Sequence, residues 1–174
     1  KGLLHATIYL WNWFPMDSIQ LNQIASNYVL PISSFDQLES LAQIAKQQSR
    51  QFRVNIIFNS GMNRLGFDQS SVRRLLQELV QFEKLLILDS VSTHFPDADS
   101  NKITITEDRN NHFLDCVKQI YKHGLRPERV HAANSAAVIQ SKDYHYNLVR
   151  VGAAMYGLWP SEYIEKRSKI KHGM

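Results

Sequence analysis

The hydrophobic positions of the chain fall into short continuous runs and longer periodic stretches. Runs such as VNIIF, rich in β-branched residues, are typical of strands that are buried on both faces of a parallel sheet. Stretches with apolar residues three and four positions apart are typical of amphipathic helices. Strands are predicted at 6–11, 28–32, 54–58, 86–92, 129–132 and 148–151.

Helices are predicted between these strands. One is expected around Ser18 to Ser26, and another begins where Ser34 and Gln37 have the spacing of a capping box. Asp68 is predicted to cap a third helix. The apolar stripe of this third helix consists of Val72, Leu75, Leu76, Leu79 and Val80.

A longer helix is predicted to end at Gly124, and the segment SAAVIQ predicts a short one. The apolar face of the longer helix carries Phe113, Val117, Ile120 and Tyr121. Strands that alternate with helices favour parallel βαβ units with right-handed crossovers. Periodicity alone leaves two α/β architectures open, a doubly wound sheet and a (β/α)8 barrel of the TIM type.

Composition and charge narrow the class of protein. The chain of 174 residues is 44% hydrophobic and 21% charged, which suits one globular domain. Its net charge of +4 is concentrated in the final segment EKRSKIKHGM, without a basic stripe interleaved with aromatics, so no nucleic-acid partner is predicted. No apolar run approaches the roughly 20 residues of a membrane span. The lone Cys116 is predicted to be a core thiol, and a cytoplasmic location is expected.

Polar residues follow four of the predicted strands, in the segments NSGMNRLGF, STHFPDAD, AANSAA and RVGAAMYG. Because the carboxyl ends of parallel strands share one rim, these residues are expected to converge there. Two guanidiniums, a hydroxyl and a glycine amide suit the binding of an anion. The candidate residues are Arg64, His94, Asn134, Ser135, Arg150 and Gly152.

Each candidate also has a purely structural interpretation. Gly61 and Gly66 could serve only a turn, Ser135 could be a helix cap, and Met62 is predicted to be a packing residue. A metal ion held by His94 and the nearby aspartates would need a spacing that fits no common ligand pattern, so no metal is predicted. The aspartates considered are Asp89, Asp97 and Asp99.

Four motifs, in order, resemble those of bacterial alanine racemases, which use pyridoxal 5'-phosphate (PLP). SGMNRLGF is similar to T-G-M-x-R-x-G-F, and STHFPDAD is similar to T-H-F-A-x-A-D. HAANSAAVI and LVRVGAAMYGLWP are similar to the A-N-S-A and V-R-x-G-x-x-x-Y-G segments of that family. The resemblance covers about 6–160 and implies the (β/α)8 barrel. It identifies 1–174 as the central and C-terminal part of the PLP-binding N-terminal barrel domain.

The resemblance also implies a role for each matching residue. Arg64 would contact the ring oxygen of PLP and the substrate carboxylate, and His94 would orient Arg150. Arg150 would hydrogen-bond the pyridine nitrogen and keep it unprotonated, because a guanidinium retains its protons. The phosphate would be held by Asn134, Ser135 and the backbone at Gly152 and Ala153.

The chain departs from the family pattern in two ways. Ile57 stands where the family has a lysine that positions the arginine, and Asn59 stands where it has an aspartate. Either Asn55 or Asn59 could substitute for the lysine. Within these 174 residues there is also no K-A-N-A-Y-G-H-G motif, which carries the lysine that binds PLP, and no C-terminal β-domain with the opposing tyrosine.

These departures predict a partial barrel that is inactive alone, taken from an enzyme that interconverts L- and D-alanine for the cell wall. The full-length protein is expected to be a homodimer. The alternatives are another PLP-dependent amino-acid racemase with the same barrel and a non-catalytic binding module that keeps the fold.

Overall fold

A computed structural model describes residues 6–12, 21 and 23–168, and within them five strands form one parallel sheet. The strands are β1 (Ile8–Tyr9), β2 (Tyr28–Ile32), β3 (Phe52–Phe58), β4 (Leu86–Thr93) and β5 (Arg129–His131). The helices are α1 (Phe35–Gln47), α2 (Val72–Gln81), α3 (Ile103–Lys122), α4 (Ser135–Gln140) and α5 (Glu162–Arg167). Short 3₁₀ turns cover Gln69–Ser71, Lys142–Tyr144 and Ala153–Tyr156.

The order of the strands decides between the two architectures that the sequence left open. Neighbours in the sheet follow chain order from β1 to β5, and every pair is parallel. A doubly wound sheet would reverse its order at a switch point, whereas a barrel adds each strand on the same side. The sheet is therefore a half-barrel, which confirms the prediction of a partial (β/α)8 barrel.

The two faces of the sheet differ in chemistry because side chains alternate along each strand. Val54, Ile56 and Phe58 of β3 lie in the hydrophobic core beneath the helices. Arg53 and Asn55, on the opposite face, make hydrogen bonds to side chains of β4. Residues 54–58 are all buried, as predicted, and the face opposite the core is polar except for Ile57.

An ionic cluster fastens the polar face near its amino-terminal end. The carboxylate of Asp89 in β4 has no exposed surface and accepts hydrogen bonds from Arg53 Nε at 2.8 Å and from the hydroxyl of Tyr9. Arg129 Nη1 lies 3.4 Å from the same carboxylate. Burial, and then the neighbouring Asp89, raise the pKa of Tyr9 to about 12. The cluster ties β1, which has only two residues, to β3, β4 and β5.

The sixth predicted strand is absent from the described structure. Residues 148–151 belong to no strand. Arg150 N donates to Ala133 O at 3.0 Å, two residues beyond the end of β5. The amide of Val130 instead donates to the side-chain oxygen of Asn147 at 2.7 Å. The asparagine side chain therefore occupies the position that a backbone carbonyl would take in a ladder.

The sequence predicted capping residues for two helices, Ser34 for α1 and Asp68 for α2, and the structure supports only the first. Ser34 Oγ accepts from Gln37 N at 3.3 Å, which confirms that cap, although the Gln37 side chain reaches back to Ser33 N at 2.8 Å. The predicted Asp68 cap is wrong, because its carboxylate makes no capping bond and accepts instead from Asn59 Nδ2 at 3.0 Å.

The apolar faces of the helices are largely as predicted. Val80 and Tyr121 are exceptions, since 45% and 38% of their surfaces remain exposed at the edges of the helix faces. Cys116 is a buried free thiol, and Gly124 ends α3 with a φ of +82°. The helix expected around Ser18 to Ser26 lies largely outside the described residues.

Candidate active site at the carboxyl ends of the strands

Arg150 lies at the centre of the rim formed by the ends of β4 and β5. Its Nη1 is 2.5 Å from His131 Nδ1, and its Nη2 donates to Thr93 O at 2.7 Å and Ala132 O at 3.0 Å. The same Nη2 lies 3.5 Å from His94 Nδ1. Within the described residues, its Nε–H and one Nη1–H have no hydrogen-bond partner. Two donors of a firmly held guanidinium are thus available to a ligand.

Burial controls the protonation of this group. Burial first, and then the charge of Arg150, lower the pKa of His131 to about 3 and that of His94 to about 4. Burial lowers the pKa of Arg150 to about 10, which still leaves it charged at neutral pH. Both imidazoles are therefore neutral, and His131 Nδ1 accepts from Arg150. The proton of His131 then lies on Nε2, a buried atom without a partner in the described part of the chain.

An indole ring covers one face of the guanidinium. Arg150 Cζ lies 4.6 Å from the centre of the Trp11 ring, and the Trp11 and His94 rings meet edge to face at 5.9 Å. Trp11 and His94 also line a small recess together with Ile57 and Arg64. The recess joins the ends of β1, β3 and β4 at one place on the rim.

A hydroxyl and two backbone amides converge beside α4. Asn134 caps the helix by accepting from Ala137 N at 3.0 Å, so Ser135 is the first helical residue and not the cap. Ser135 Oγ accepts from Gly152 N at 3.0 Å and from Ala154 N at 3.3 Å. The second amide thus belongs to Ala154, while Ala153 begins the 3₁₀ turn.

The space next to these amides is open. A Cβ atom built on Gly152 would meet no atom within 4 Å, so the backbone can be approached closely there. Gly152 is two residues from Arg150 along the chain, so the segment that supplies the amides directly follows the residue that carries the guanidinium.

Arg64 lies on the loop after β3. It is exposed, and its side chain has no hydrogen bond to the described residues. Its charge nevertheless contributes to the lowered pKa of His94, so the two side chains share the rim. The turn interpretation of both loop glycines holds, because Gly61 and Gly66 have φ values of +106° and +117°. Met62, expected to be a packing residue, is 40% exposed.

The sequence assigned no role to two residues of this rim, His131 and Trp11. A histidine within the short apolar strand RVHA, three residues before Asn134, is the signal that could have indicated the first. Trp11 ends the first predicted strand, and the carboxyl ends of parallel strands are where ligand-facing side chains collect. Asp89, considered as a metal ligand, is instead engaged by two arginines, Arg53 and Arg129.

The described ranges offer neither a metal site nor a membrane span. They contain no cluster of three or more histidine, cysteine or acidic side chains placed to bind a metal ion. None of their helices combines the length and apolar character of a membrane span.

Comparisons with known proteins agree with this geometry. The family model of the alanine racemase N-terminal domain matches residues 1–160. The alanine racemase of Methanococcus maripaludis is 32% identical over 150 residues, which are 84% of this chain and 39% of that protein. The chain therefore spans about two fifths of the length of this relative.

Solved structures show the same fold. The alanine racemase of Clostridium difficile in complex with cycloserine superposes with a TM-score of 0.82 at 25% identity, over 95% of this chain and 45% of that one. The alanine racemase of Bacillus anthracis with bound L-Ala-P superposes with a TM-score of 0.76 at 30% identity, over 84% and 38%. On its fold, its motifs and these matches, the chain belongs to the family of the alanine racemase N-terminal domain.

Proposed function

We propose that this chain is the PLP-binding part of an alanine racemase. The observation that carries the proposal is the cradle formed by Ser135 Oγ with the amides of Gly152 and Ala154. The segment 152–154 follows Arg150, whose guanidinium has two donors without a partner in the described residues. A phosphate and a pyridine nitrogen are the two polar ends of PLP, and the rim offers donors to both. The racemases to which the chain is similar support alanine as the substrate.

The donors of the cradle suit a phosphate. The amides of Gly152 and Ala154 already converge on one acceptor, Ser135 Oγ, so little rearrangement would point them and the hydroxyl at a phosphate oxygen. Hydrogen bonds to such charged acceptors are strong. Asn134 holds the start of α4, and so fixes the position of Ser135. The open space at Gly152 leaves room for the ligand.

The donors of Arg150 suit the ring nitrogen. When bound, PLP supplies an electron sink for chemistry at the α-carbon of an amino acid. Arg150 would donate its Nε–H to that nitrogen and keep it unprotonated, because the guanidinium retains its proton despite its lowered pKa. Neutral His94 would maintain the orientation of Arg150. Arg64, without a partner in the described residues, would hold the substrate carboxylate.

The full-length enzyme would interconvert L- and D-alanine in the cytoplasm as a homodimer. A second candidate function is favoured by one observation: Ile57, almost fully buried beside Arg64, offers no hydrogen bond where the family has a lysine. The barrel would then bind the cofactor without catalysing racemisation. Another PLP-dependent amino-acid racemase of the same barrel type would use the same cradle with a different substrate.

The phosphate cradle leads to a prediction for Ser135→Ala. Pyridoxine 5'-phosphate is the suitable probe, because it lacks the aldehyde that reacts with surface lysines. Loss of a hydrogen bond to a charged group should weaken its binding by about 10- to 100-fold, as measured by equilibrium dialysis.

Ser71→Ala is the matched control, since Ser71 makes no side-chain capping bond and lies outside the rim. Its affinity for pyridoxine 5'-phosphate should equal that of the wild type. Equal binding by the Ser135→Ala and Ser71→Ala proteins would contradict the phosphate cradle.

The 174-residue chain is expected not to racemise alanine by itself. It lacks the motif with the PLP-bound lysine and the segment with the opposing tyrosine, and a positioned proton donor or acceptor contributes about 10²–10⁴-fold to a rate. Chiral chromatography after incubation with PLP and L-alanine should detect no D-alanine, whereas a full-length racemase run in parallel should form it. Formation of D-alanine that disappears in the Arg150→Ala protein would show that this chain is catalytically complete.

A further inference from the structure

The side chain of Asn59 organises the loop that carries Arg64. Its Oδ1 accepts from Gly61 N at 3.0 Å and from Asn63 N at 3.1 Å. Its Nδ2 donates to Asn63 Oδ1 and to Asp68 Oδ1, both at 3.0 Å. One amide group thus uses both of its donors and its acceptor within a single loop.

The backbone closes the same loop at its base. Asn59 N donates to Phe67 O at 3.0 Å, and Phe67 N donates to Ile57 O at 2.8 Å. At Gly66 a Cβ atom would lie 2.6 Å from the backbone of residues 58 and 59, so the two ends of the loop are in direct contact. With its base fixed, the conformation at the tip depends on what holds Asn63 and Arg64.

Asn59 is the polar group that reaches the tip. It contacts both the amide and the side chain of Asn63, the residue before Arg64, and holds it at a φ of +50°. Ile57 is apolar. Asn55, the other candidate from the sequence, is fully engaged with Ser90 and Ser92 of β4 and lies inside the sheet.

We propose that Asn59 is the positioning residue for Arg64 in this chain, acting where other members of the family use a lysine at the position of Ile57. This inference depends on the proposed function in one respect only, namely that Arg64 binds the carboxylate of the substrate. Asn59 must be an amide because it faces Asp68. An aspartate at 59 would lose both donors and place two carboxylates about one hydrogen-bond length apart, where like charges repel.

The structure of the loop can be tested with trypsin, which cleaves after Arg64 only when the loop opens. Asn59→Asp should accelerate cleavage at this bond by about tenfold or more. The double variant Asn59→Asp with Asp68→Asn exchanges the donor and the acceptor at unchanged net charge, and should return the rate to within about twofold of the wild type.

Asn101→Asp is the matched control, because it adds the same charge at an exposed position away from the loop. Its cleavage rate at Arg64 should equal that of the wild type. Cleavage of Asn59→Asp no faster than this control, or no rescue in the double variant, would overturn the proposal.

A measurement on the unmodified chain covers the case in which Asn59→Asp does not fold. The amides of Gly61 and Asn63 both donate to Asn59 Oδ1, so their hydrogen exchange should be slower than that of Met62 between them. Equal exchange at the three amides would overturn the proposal without any variant.

Positioning can be separated from simple loop stability with two ligands. N-(phosphopyridoxyl)-L-alanine carries a carboxylate for Arg64, and pyridoxine 5'-phosphate does not. Asn59→Asp should abolish the extra affinity for N-(phosphopyridoxyl)-L-alanine and leave the affinity for pyridoxine 5'-phosphate unchanged within about twofold. The double variant should restore the extra affinity. Equal weakening of both ligands would show a structural role only. If the wild type binds neither ligand, the proposed function fails, while the trypsin result still decides the role of Asn59.

Discussion

Replacing Arg150 with alanine is expected to lower the free energy of unfolding by about 2–4 kcal/mol, because each buried acceptor that loses its donor costs about 1–3 kcal/mol. The acceptors are His131 Nδ1 and the carbonyls of Thr93 and Ala132. Relief from burying the charge offsets part of this loss. Urea unfolding followed by circular dichroism measures the change.

Two other arginine variants make the test specific. Arg150→Lys keeps the charge but cannot reproduce the fork of donors, so its stability should lie between those of the wild type and Arg150→Ala. Arg126→Ala is the matched control, since Arg126 is exposed and also donates to two carbonyls. It should cost less than about 0.5 kcal/mol. If Arg126→Ala and Arg150→Ala cost the same, the rim is not organised around Arg150.

The same variant should change the response to acid. In the wild type, the pKa of His131 is about 3 in the folded state against 6.5 for an exposed histidine. Its contribution to stability is therefore complete above pH 6.5 and is lost as the pH falls towards 3. Without the charge of Arg150, the folded-state pKa of His131 rises. The acid-dependent loss of stability due to His131 should be smaller in Arg150→Ala.

Removal of the carboxylate of Asp89 is expected to have the other large effect on stability. Asp89→Ala removes the buried anion that Arg53 and Arg129 share and leaves them with the exposed carboxylate of Glu128 as their common partner. Breaking a buried ion pair costs about 3–5 kcal/mol, but both guanidiniums are partly exposed and screened, so we expect about 2–3 kcal/mol. The hydroxyl of Tyr9 also loses its acceptor, which weakens the attachment of β1 to β4, although β1 stays paired with β2.

Asp115→Ala is the control for this measurement. Asp115 pairs with Lys118 on an exposed face of α3, and such pairs contribute about 0–1 kcal/mol. Urea unfolding should separate the two variants clearly. A loss at Asp89 as small as that at Asp115 would mean that the ionic cluster does not hold the half-barrel together.

Sequence periodicity was sufficient to predict the five strands and the main helices, because burial and alternation are local properties of each segment. The order of the strands needed tertiary information, since a barrel and a doubly wound sheet share the same βαβ pattern. The strand predicted at 148–151 failed for the same reason. The side chain of Asn147 takes the hydrogen bond of Val130, and nothing local to the sequence indicates this.

The residues that follow the strands are sufficient to locate the candidate site in the sequence. They do not predict which of its side chains contact one another. Arg150 and His94 come together as expected, and Ser135 meets Gly152. A single histidine in a short strand is usually a core residue, so the sequence does not indicate that His131 Nδ1 lies 2.5 Å from Arg150 Nη1.

The positioning of Arg64 is the clearest case in which sequence left a question open. Two asparagines were possible substitutes for the missing lysine, and their neighbours in space distinguish them. Asn55 faces the serines of β4, whereas Asn59 faces its own loop. The failed cap at Asp68 has the same origin, because the carboxylate is engaged by Asn59.

The central claim is that the ends of β4 and β5 and the segment after Arg150 form the PLP site. A crystal structure of this chain soaked with pyridoxine 5'-phosphate tests it most directly. We expect the phosphate within hydrogen-bond distance of Ser135 Oγ and Gly152 N, with the ring nitrogen facing Arg150 Nε. A phosphate bound elsewhere, with Ser135 and Arg150 free of ligand, would contradict the account.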